Sequence, residues 1–138
     1  MADERLHLTL HFIGSFPDQA IGSLEERLAT VPTGPMTMRA GGAELWRGGI
    51  AVLRVEPEPP LMLLQTTLAA VLSTLGVPLD SRPFAPHVTM ARRAMRARPP
   101  EQTNTAAIVW EARGFALVQS ITGANTAYRV LRSYQGAD

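Results

Sequence analysis

Two short segments decide the fold of this chain: His7-Leu8-Thr9-Leu10 near the start and His87-Val88-Thr89-Met90 about two thirds of the way along. In each segment a histidine and a threonine stand two residues apart, separated and followed by apolar residues. Around the first segment polar and apolar residues alternate from Arg5 to Phe12, which is the period of a β-strand with one buried and one polar face. Because a strand places residues i and i+2 on the same side, each segment directs an imidazole and a hydroxyl toward one space.

This pair of segments predicts acid–base chemistry on a phosphate. Histidine serves as either acid or base near neutral pH, and threonine hydroxyls donate hydrogen bonds to phosphate oxygens. Such a reaction depends on positioning and charge stabilisation and requires neither a metal nor a covalent intermediate. One His-x-Thr segment is common and usually structural, whereas two copies in matching apolar contexts indicate a functional pair.

A zinc site is the competing interpretation, because His7 and His11 are four residues apart. On a helix that spacing gives a pair of ligands. On a strand, however, four residues separate the two backbones by about 13 Å. The alternation favours a strand, the chain has no cysteine, and no carboxylate stands at ligand spacing, so the sequence predicts no metal and no cofactor.

Composition limits the remaining classes of protein. The 138 residues are enough for one domain with a core, and 46% of them are hydrophobic and 18% charged. No apolar run is long enough to span a bilayer, and the absence of cysteine makes a cytoplasmic location the expectation. A net charge of +1 argues against a general nucleic-acid coat.

The order of predicted elements alternates strands and helices. A strand over 5–12 precedes a helix that Asp18 caps, and a second helix over 60–75 ends at Gly76 before Pro78. The other predicted strands lie at 36–40, 50–56 and 87–91 and near 106–111, 114–120 and 126–132, and the Gly41-Gly42 and Gly48-Gly49 pairs are predicted turns. This order predicts an α+β fold of two lobes with pseudo-symmetric antiparallel sheets, outer helices and a central cleft that carries the two His-x-Thr-x strands.

The two histidine segments, extended to residues 6–14 and 84–92, resemble the paired signature of the two-histidine (2H) phosphoesterase superfamily. Within it they are most similar to the bacterial and archaeal RNA 2′,3′-cyclic phosphodiesterases, long called 2′-5′ RNA ligases. Residues 44–55 resemble the middle segment of that family, and residues 115–128 resemble its closing hairpin. The likeness covers most of the chain, and the histidine segments are its specific part.

The resemblance implies a role for each matching residue. His7 would be the general acid that protonates the departing ribose 3′ oxygen, and His87 the general base that activates water. Thr9 and Thr89 would bind phosphate oxygens. Arg92 matches the arginine that stabilises the charge of the transition state, and Phe12 matches an aromatic residue that lines the nucleoside pocket. Each lobe of the family's fold would contribute one histidine strand to the cleft.

Arginines cluster after the second segment, at Arg92, Arg93, Arg96 and Arg98. Two interpretations stay open for this cluster: a solvated loop, or a rim that attracts anions beside a phosphate site.

Two features depart from the family's pattern. Only six residues precede His7, so we expect a single domain over 1–138 without the usual N-terminal strand and helix, either a monomer or a homodimer that completes its sheet by strand pairing. His11 replaces a small apolar residue, and it either enters the cleft or is a solvated residue at the strand end.

Trp46 and Trp110 are interpreted as packing residues, and Tyr128 is a weaker candidate for the cleft.

The sequence therefore predicts a metal-independent phosphodiesterase that opens RNA or nucleotide 2′,3′-cyclic phosphates to 2′-phosphates, with reverse 2′-5′ ligation possible in principle. The alternative is a non-catalytic module of the same fold that binds RNA ends or nucleotides. A third interpretation keeps the chemistry and changes the substrate to another cyclic phosphate, such as ADP-ribose 1″,2″-cyclic phosphate. The expected partners are RNA ends or cyclic nucleotides, with no membrane.

Overall fold

The computed structural model describes residues 7–46, 49–91, 108–121 and 127–136. Within these ranges the elements are, in chain order, a 3₁₀ turn (Asp18–Ala20), α1 (Ile21–Leu28), β1 (Met36–Trp46), β2 (Ile50–Val55), α2 (Pro59–Thr74), β3 (His87–Ala91), β4 (Ile108–Ala112), β5 (Gly114–Ile121) and β6 (Ala127–Gln135). One sheet has the strand order β3-β2-β1-β4, and a second sheet consists of β5 and β6. The β1–β2, β2–β3 and β5–β6 pairs are antiparallel, which confirms the predicted α+β class.

The chain divides into two compact units. The first, called the sheet unit here, contains residues 1–10, 37–58 and 83–110 and thus most of the four-stranded sheet. The second, called the helix unit, contains residues 11–36, 59–82 and 111–138, with α1, α2 and the β5–β6 hairpin. No helix in the described ranges is long and apolar enough to cross a membrane.

In the sheet unit, β1 buries every second side chain over its first part, whereas the two buried side chains of β2 are three residues apart. Met38 and Ala40 are buried on β1, while Val52 and Val55 are buried on β2. The predicted turn at Gly41-Gly42 is wrong, because β1 continues to Trp46. The strand register shifts between Ala40 and Ala43, and Gly42 has a φ of 75°. A glycine tolerates that backbone conformation, so it accommodates a bulge inside the strand and no chain reversal occurs.

In the helix unit, α2 buries one stripe of leucines, Leu61, Leu64, Leu68 and Leu72, at the three- and four-residue spacing of a helix face. The helix ends as predicted. The N–H of Gly76 donates to the carbonyl of Ser73 at 3.1 Å, and the N–H of Val77 donates to the carbonyl of Leu72 at 3.1 Å. Gly76 has a φ of 78°, which completes a Schellman C-cap.

A tyrosine of β6 joins the hairpin of the helix unit to α1. Tyr134 is buried, its hydroxyl donates to the carbonyl of Glu25 at 2.9 Å, and its ring stacks on Phe115 at 4.7 Å between centroids. Burial raises the pKa of Tyr134 above its ordinary value. The predicted cap at Asp18 is wrong: Asp18 lies in the 3₁₀ turn, and α1 begins after Ala20 with no side-chain cap hydrogen bond.

Candidate active site

The two histidine segments pair with each other in the sheet unit. Leu8 forms an antiparallel bridge with Val88. This pairing places His7 opposite Thr89 and Thr9 opposite His87, and all four side chains on the face away from Leu8 and Val88. The Cα atoms of diagonal neighbours in such a pair, here His7 and His87, are about 7–8 Å apart. Two imidazoles and two hydroxyls therefore lie on one face of this strand pair.

The first segment is less regular than predicted. A strand over 5–12 was expected, but within the described part of that stretch the β-structure is the bridge at Leu8. The chain also changes unit between Leu10 and His11. Both histidine segments belong to the sheet unit, so the expectation that each lobe contributes one of them does not hold.

The second segment is held along its length by β2. The N–H of Val55 donates to the carbonyl of Pro86 at 3.0 Å, immediately before β3 begins. Along β3, His87 lies opposite Arg54 and Thr89 lies opposite Val52. Val52 is completely buried, so the middle of this strand pair is anchored where Thr89 presents its hydroxyl.

His87 has a defined ring orientation. Its Nδ1 lies 2.8 Å from the carbonyl oxygen of Ala85, and a carbonyl oxygen only accepts hydrogen bonds. Nδ1 therefore carries the proton in the neutral ring, and Nε2 presents its lone pair. The indole of Trp46 packs against the same imidazole, with 4.4 Å between ring centroids and 54° between ring planes. The carbonyl and the indole together fix the direction of Nε2.

Solvent reaches each of the four motif side chains. His7 and Thr9 are exposed, while His87 and Thr89 are half-buried. Neither imidazole is enclosed in the core, so a substrate can approach both.

The same face of the sheet extends across β2 and β1. Glu44 lies opposite Val52 and Trp46 opposite Ile50, which puts both on the side of Arg54 and His87. Nη1 of Arg54 contacts Oε2 of Glu44 at 3.2 Å. We call this surface the histidine face; its members are His7, Thr9, Glu44, Trp46, Arg54, His87 and Thr89.

The structure assigns none of the other predicted residues to the histidine face. Phe12 belongs to the helix unit and is 81% exposed, so the structure does not itself place it in a pocket. Arg92, Arg93, Arg96 and Arg98 lie outside the described residues. In the described ranges no three His, Cys, Asp or Glu side chains lie together in a way that could hold a metal ion.

His11 matches neither of its two predicted positions. Its Nε2 donates to the carbonyl of Gln65 in α2 at 2.8 Å, and the residue is half-buried. It is therefore neither a solvated residue nor a member of the histidine face. Instead it connects the segment that follows Leu10 to α2 within the helix unit.

Three members of the histidine face had no functional role in the sequence interpretation: Glu44, Trp46 and Arg54. Trp46 is a packing residue, as predicted, and the residue against which it packs is His87. Glu44 and Trp46 are two residues apart on one strand, so the sequence indicates that they share a face. Their alignment with His87 could not be derived from the sequence, because strand register depends on the bulge at Gly42 and on the order of strands in the sheet.

Known proteins of one family resemble this chain over most of its length. The family model of the 2′-5′ RNA ligase superfamily matches residues 1–122. An RNA 2′,3′-cyclic phosphodiesterase of Thermus thermophilus is 31% identical over 143 residues, an alignment that covers 94% of this chain and 71% of the relative. A protein of the same name from Geobacillus stearothermophilus is 31% identical over 103 residues, covering 66% of this chain and 31% of the relative, so the chain spans less than a third of that protein.

Solved structures give the same result for the fold. The crystal structure of E. coli LigT complexed with 3′-AMP superimposes with a TM-score of 0.82 at 25% sequence identity, covering 99% of this chain and 80% of that chain. A second crystal structure, described as a phosphoesterase, has a TM-score of 0.81 at 25% identity and covers 96% of this chain and 78% of that chain.

Proposed function

Because this chain belongs to the 2′-5′ RNA ligase superfamily, we propose that it hydrolyses 2′,3′-cyclic phosphates at the ends of RNA or on nucleotides, without a metal, to give 2′-phosphates. The observation that supports the proposal most directly is the antiparallel bridge between Leu8 of the first histidine segment and Val88 of the second. The names of the two relatives and the 3′-AMP complex of LigT support the same substrate class.

In the proposed reaction His87 is the general base. Nε2 of His87 takes a proton from water, and the resulting nucleophile attacks phosphorus in line with the bond to the ribose 3′ oxygen. That P–O3′ bond breaks, and His7 donates a proton to the departing oxygen. Solvent then removes the proton that His87 gained and returns a proton to His7. Both imidazoles recover their starting states, and the net reaction consumes one water molecule.

Hydroxyls and guanidinium groups stabilise the charge that develops on phosphorus. Thr9 and Thr89 donate to the non-bridging oxygens, which become more negative in the transition state. Arg92 is proposed, from the family resemblance, to bind the same oxygens through its planar guanidinium. Phe12 is proposed on the same basis to contact the nucleoside. When the 5′-hydroxyl of a second strand takes the place of water, His87 removes its proton, the oxygen attacks phosphorus, the P–O3′ bond breaks with a proton from His7, and a 2′-5′ linkage forms. We also propose a cytoplasmic location, because the chain has no cysteine.

Product analysis tests this function. An oligonucleotide that ends in a 2′,3′-cyclic phosphate is incubated with the protein in the presence of EDTA, and the ends are separated by chromatography. We expect turnover that EDTA does not change and a 2′-phosphate product. Binding without turnover would instead indicate the non-catalytic module, loss of turnover in EDTA would indicate a metal site, and a 3′-phosphate product would overturn the assignment of the departing oxygen.

A further inference from the structure

Arg54 and Glu44 form the part of the histidine face that the proposed reaction leaves unused. Arg54 is the register partner of His87 on the neighbouring strand, so their Cα atoms lie about 4.5–5.5 Å apart and their side chains point to the same side. A guanidinium on a long side chain is thereby placed next to the general base.

The guanidinium of Arg54 is drawn away from the two histidines. Glu44 lies on β1, on the far side of β2 from β3, and its carboxylate holds Nη1 of Arg54 at 3.2 Å. The reacting phosphate would bind between β3 and the segment of His7, whereas the Arg54–Glu44 pair lies over β2 and β1. Since neighbouring strands are about 4.8 Å apart, the guanidinium is about one and a half to two and a half strand spacings, roughly 7–12 Å, from the phosphorus. A guanidinium at that distance can bind the next phosphate along an RNA chain while the reacting phosphate contacts the two histidines.

The ion pair is easily exchanged for a phosphate. The side chains of Arg54 and Glu44 are 45% and 43% exposed. Ion pairs with this much solvent contribute little to stability, so replacing the carboxylate partner costs the fold little. A phosphodiester offers two oxygens in a plane that matches the guanidinium, which makes it a strong partner for arginine.

Resting on the proposed function, we infer that Arg54 binds the phosphodiester that precedes the cyclic phosphate, and that Glu44 holds the guanidinium until RNA arrives. This subsite distinguishes an RNA end from a free mononucleotide. It recognises the backbone and no base, so it confers a preference for chain length that is independent of sequence.

Equilibrium binding tests the inference without depending on turnover. The two probes are a nucleoside 2′-phosphate and a dinucleotide with a terminal 2′-phosphate, which differ by the internal phosphodiester and the second nucleoside. We expect Arg54→Met to weaken dinucleotide binding at least about tenfold, as expected for loss of a charge-assisted hydrogen bond, with mononucleotide binding unchanged. The slope of log affinity against log salt for the dinucleotide should fall by about 0.7, the value for one lost phosphate contact on a single strand.

Two further variants sharpen the test. Glu44→Gln releases the guanidinium and is expected to strengthen dinucleotide binding alone. Arg39→Met is the matched control, because Arg39 is also on the sheet unit and in an exposed ion pair, with Glu58 at 3.4 Å. Circular dichroism confirms that each variant is folded.

The possible outcomes separate this inference from the proposed function. Equal loss with both probes, no loss in Arg54→Met, or an equal loss in Arg39→Met would each overturn the subsite. Failure of the wild-type protein to turn over cyclic phosphates would overturn the hydrolase proposal, while the ratio of dinucleotide to mononucleotide affinity would still decide the role of Arg54.

Discussion

The two units contain histidines that are hydrogen-bonded in opposite ways. In the sheet unit, Nδ1 of His87 donates to the nearby carbonyl of Ala85, so Nε2 presents its lone pair on the histidine face. In the helix unit, Nε2 of His11 itself donates to the carbonyl of Gln65, a contact that joins two distant parts of the chain. The same side chain is thus arranged for chemistry in one unit and for packing in the other.

This difference extends to the other polar groups. On the sheet unit, threonine hydroxyls and an arginine–glutamate pair occupy one accessible face. In the helix unit, Tyr134 donates to the carbonyl of Glu25, and Arg27 donates to the hydroxyl of Thr74 at 2.7 Å. Polar groups of the helix unit therefore join its elements to one another. We expect substitutions on the histidine face to change the reaction, and substitutions of these joining groups in the helix unit to change stability.

The largest expected decrease in kcat follows from removing either of the two proposed acid–base histidines. His7→Ala and His87→Ala should each lower kcat by about 10²- to 10⁴-fold, because each removes one proton transfer from the transition state. The measurement is steady-state hydrolysis of a 2′,3′-cyclic nucleotide, with circular dichroism to verify folding.

Wild-type protein should show a rate that rises and then falls with pH, since one imidazole must be neutral and the other protonated.

His11→Gln is the matched control for this prediction. A glutamine can still donate to the carbonyl of Gln65, and His11 is not a member of the histidine face, so kcat should stay within a few-fold of wild type. A loss in His11→Gln as large as in His7→Ala would remove the distinction between the two units.

These assignments show what the sequence could predict. The alternation around His7 and His87, the leucine stripe of α2 and its end at Gly76 are local patterns, and the structure follows the helix prediction closely. The bulge that extends β1, and the departure of His11 toward α2, depend on contacts between residues far apart in sequence. For the same reason the alignment of Trp46 and Arg54 with His87 could not be derived from spacing alone.

A smaller effect is expected from the residue that positions the base. Trp46→Leu should lower kcat by about fivefold with little change in KM, because the aromatic contact that holds the His87 ring contributes roughly 1 kcal/mol. Trp46→Phe keeps a ring at this position and should restore most of the rate. An unchanged kcat in Trp46→Leu, or a purely KM effect, would show that Trp46 does not position the imidazole.

The smallest effect is a change in stability alone. Tyr134→Phe removes the hydrogen bond to Glu25 and should lower the free energy of unfolding by about 1 kcal/mol, with kcat per folded molecule unchanged. Urea denaturation followed by circular dichroism measures this loss. A change in kcat without a change in stability would contradict the separation of roles.

Tyr134 also predicts a pH dependence. Its ordinary pKa is 10.0, and burial raises the pKa in the folded state. The stabilising contribution is therefore complete below pH 10 and is lost as the pH rises above that value, because the unfolded chain ionises first. Wild-type stability should fall more steeply above pH 10 than that of Tyr134→Phe, and parallel curves would show that Tyr134 does not cause the dependence.

The central claim is that His7 and His87 act on one phosphorus atom. A crystal structure of the protein with a nucleoside 2′-phosphate tests it most directly. We predict a ring nitrogen of each histidine within about 2.6–3.2 Å of oxygens on the same phosphate, with Nε2 as the contacting atom of His87. A phosphate bound elsewhere, or contacted by only one of the two imidazoles, would contradict the account.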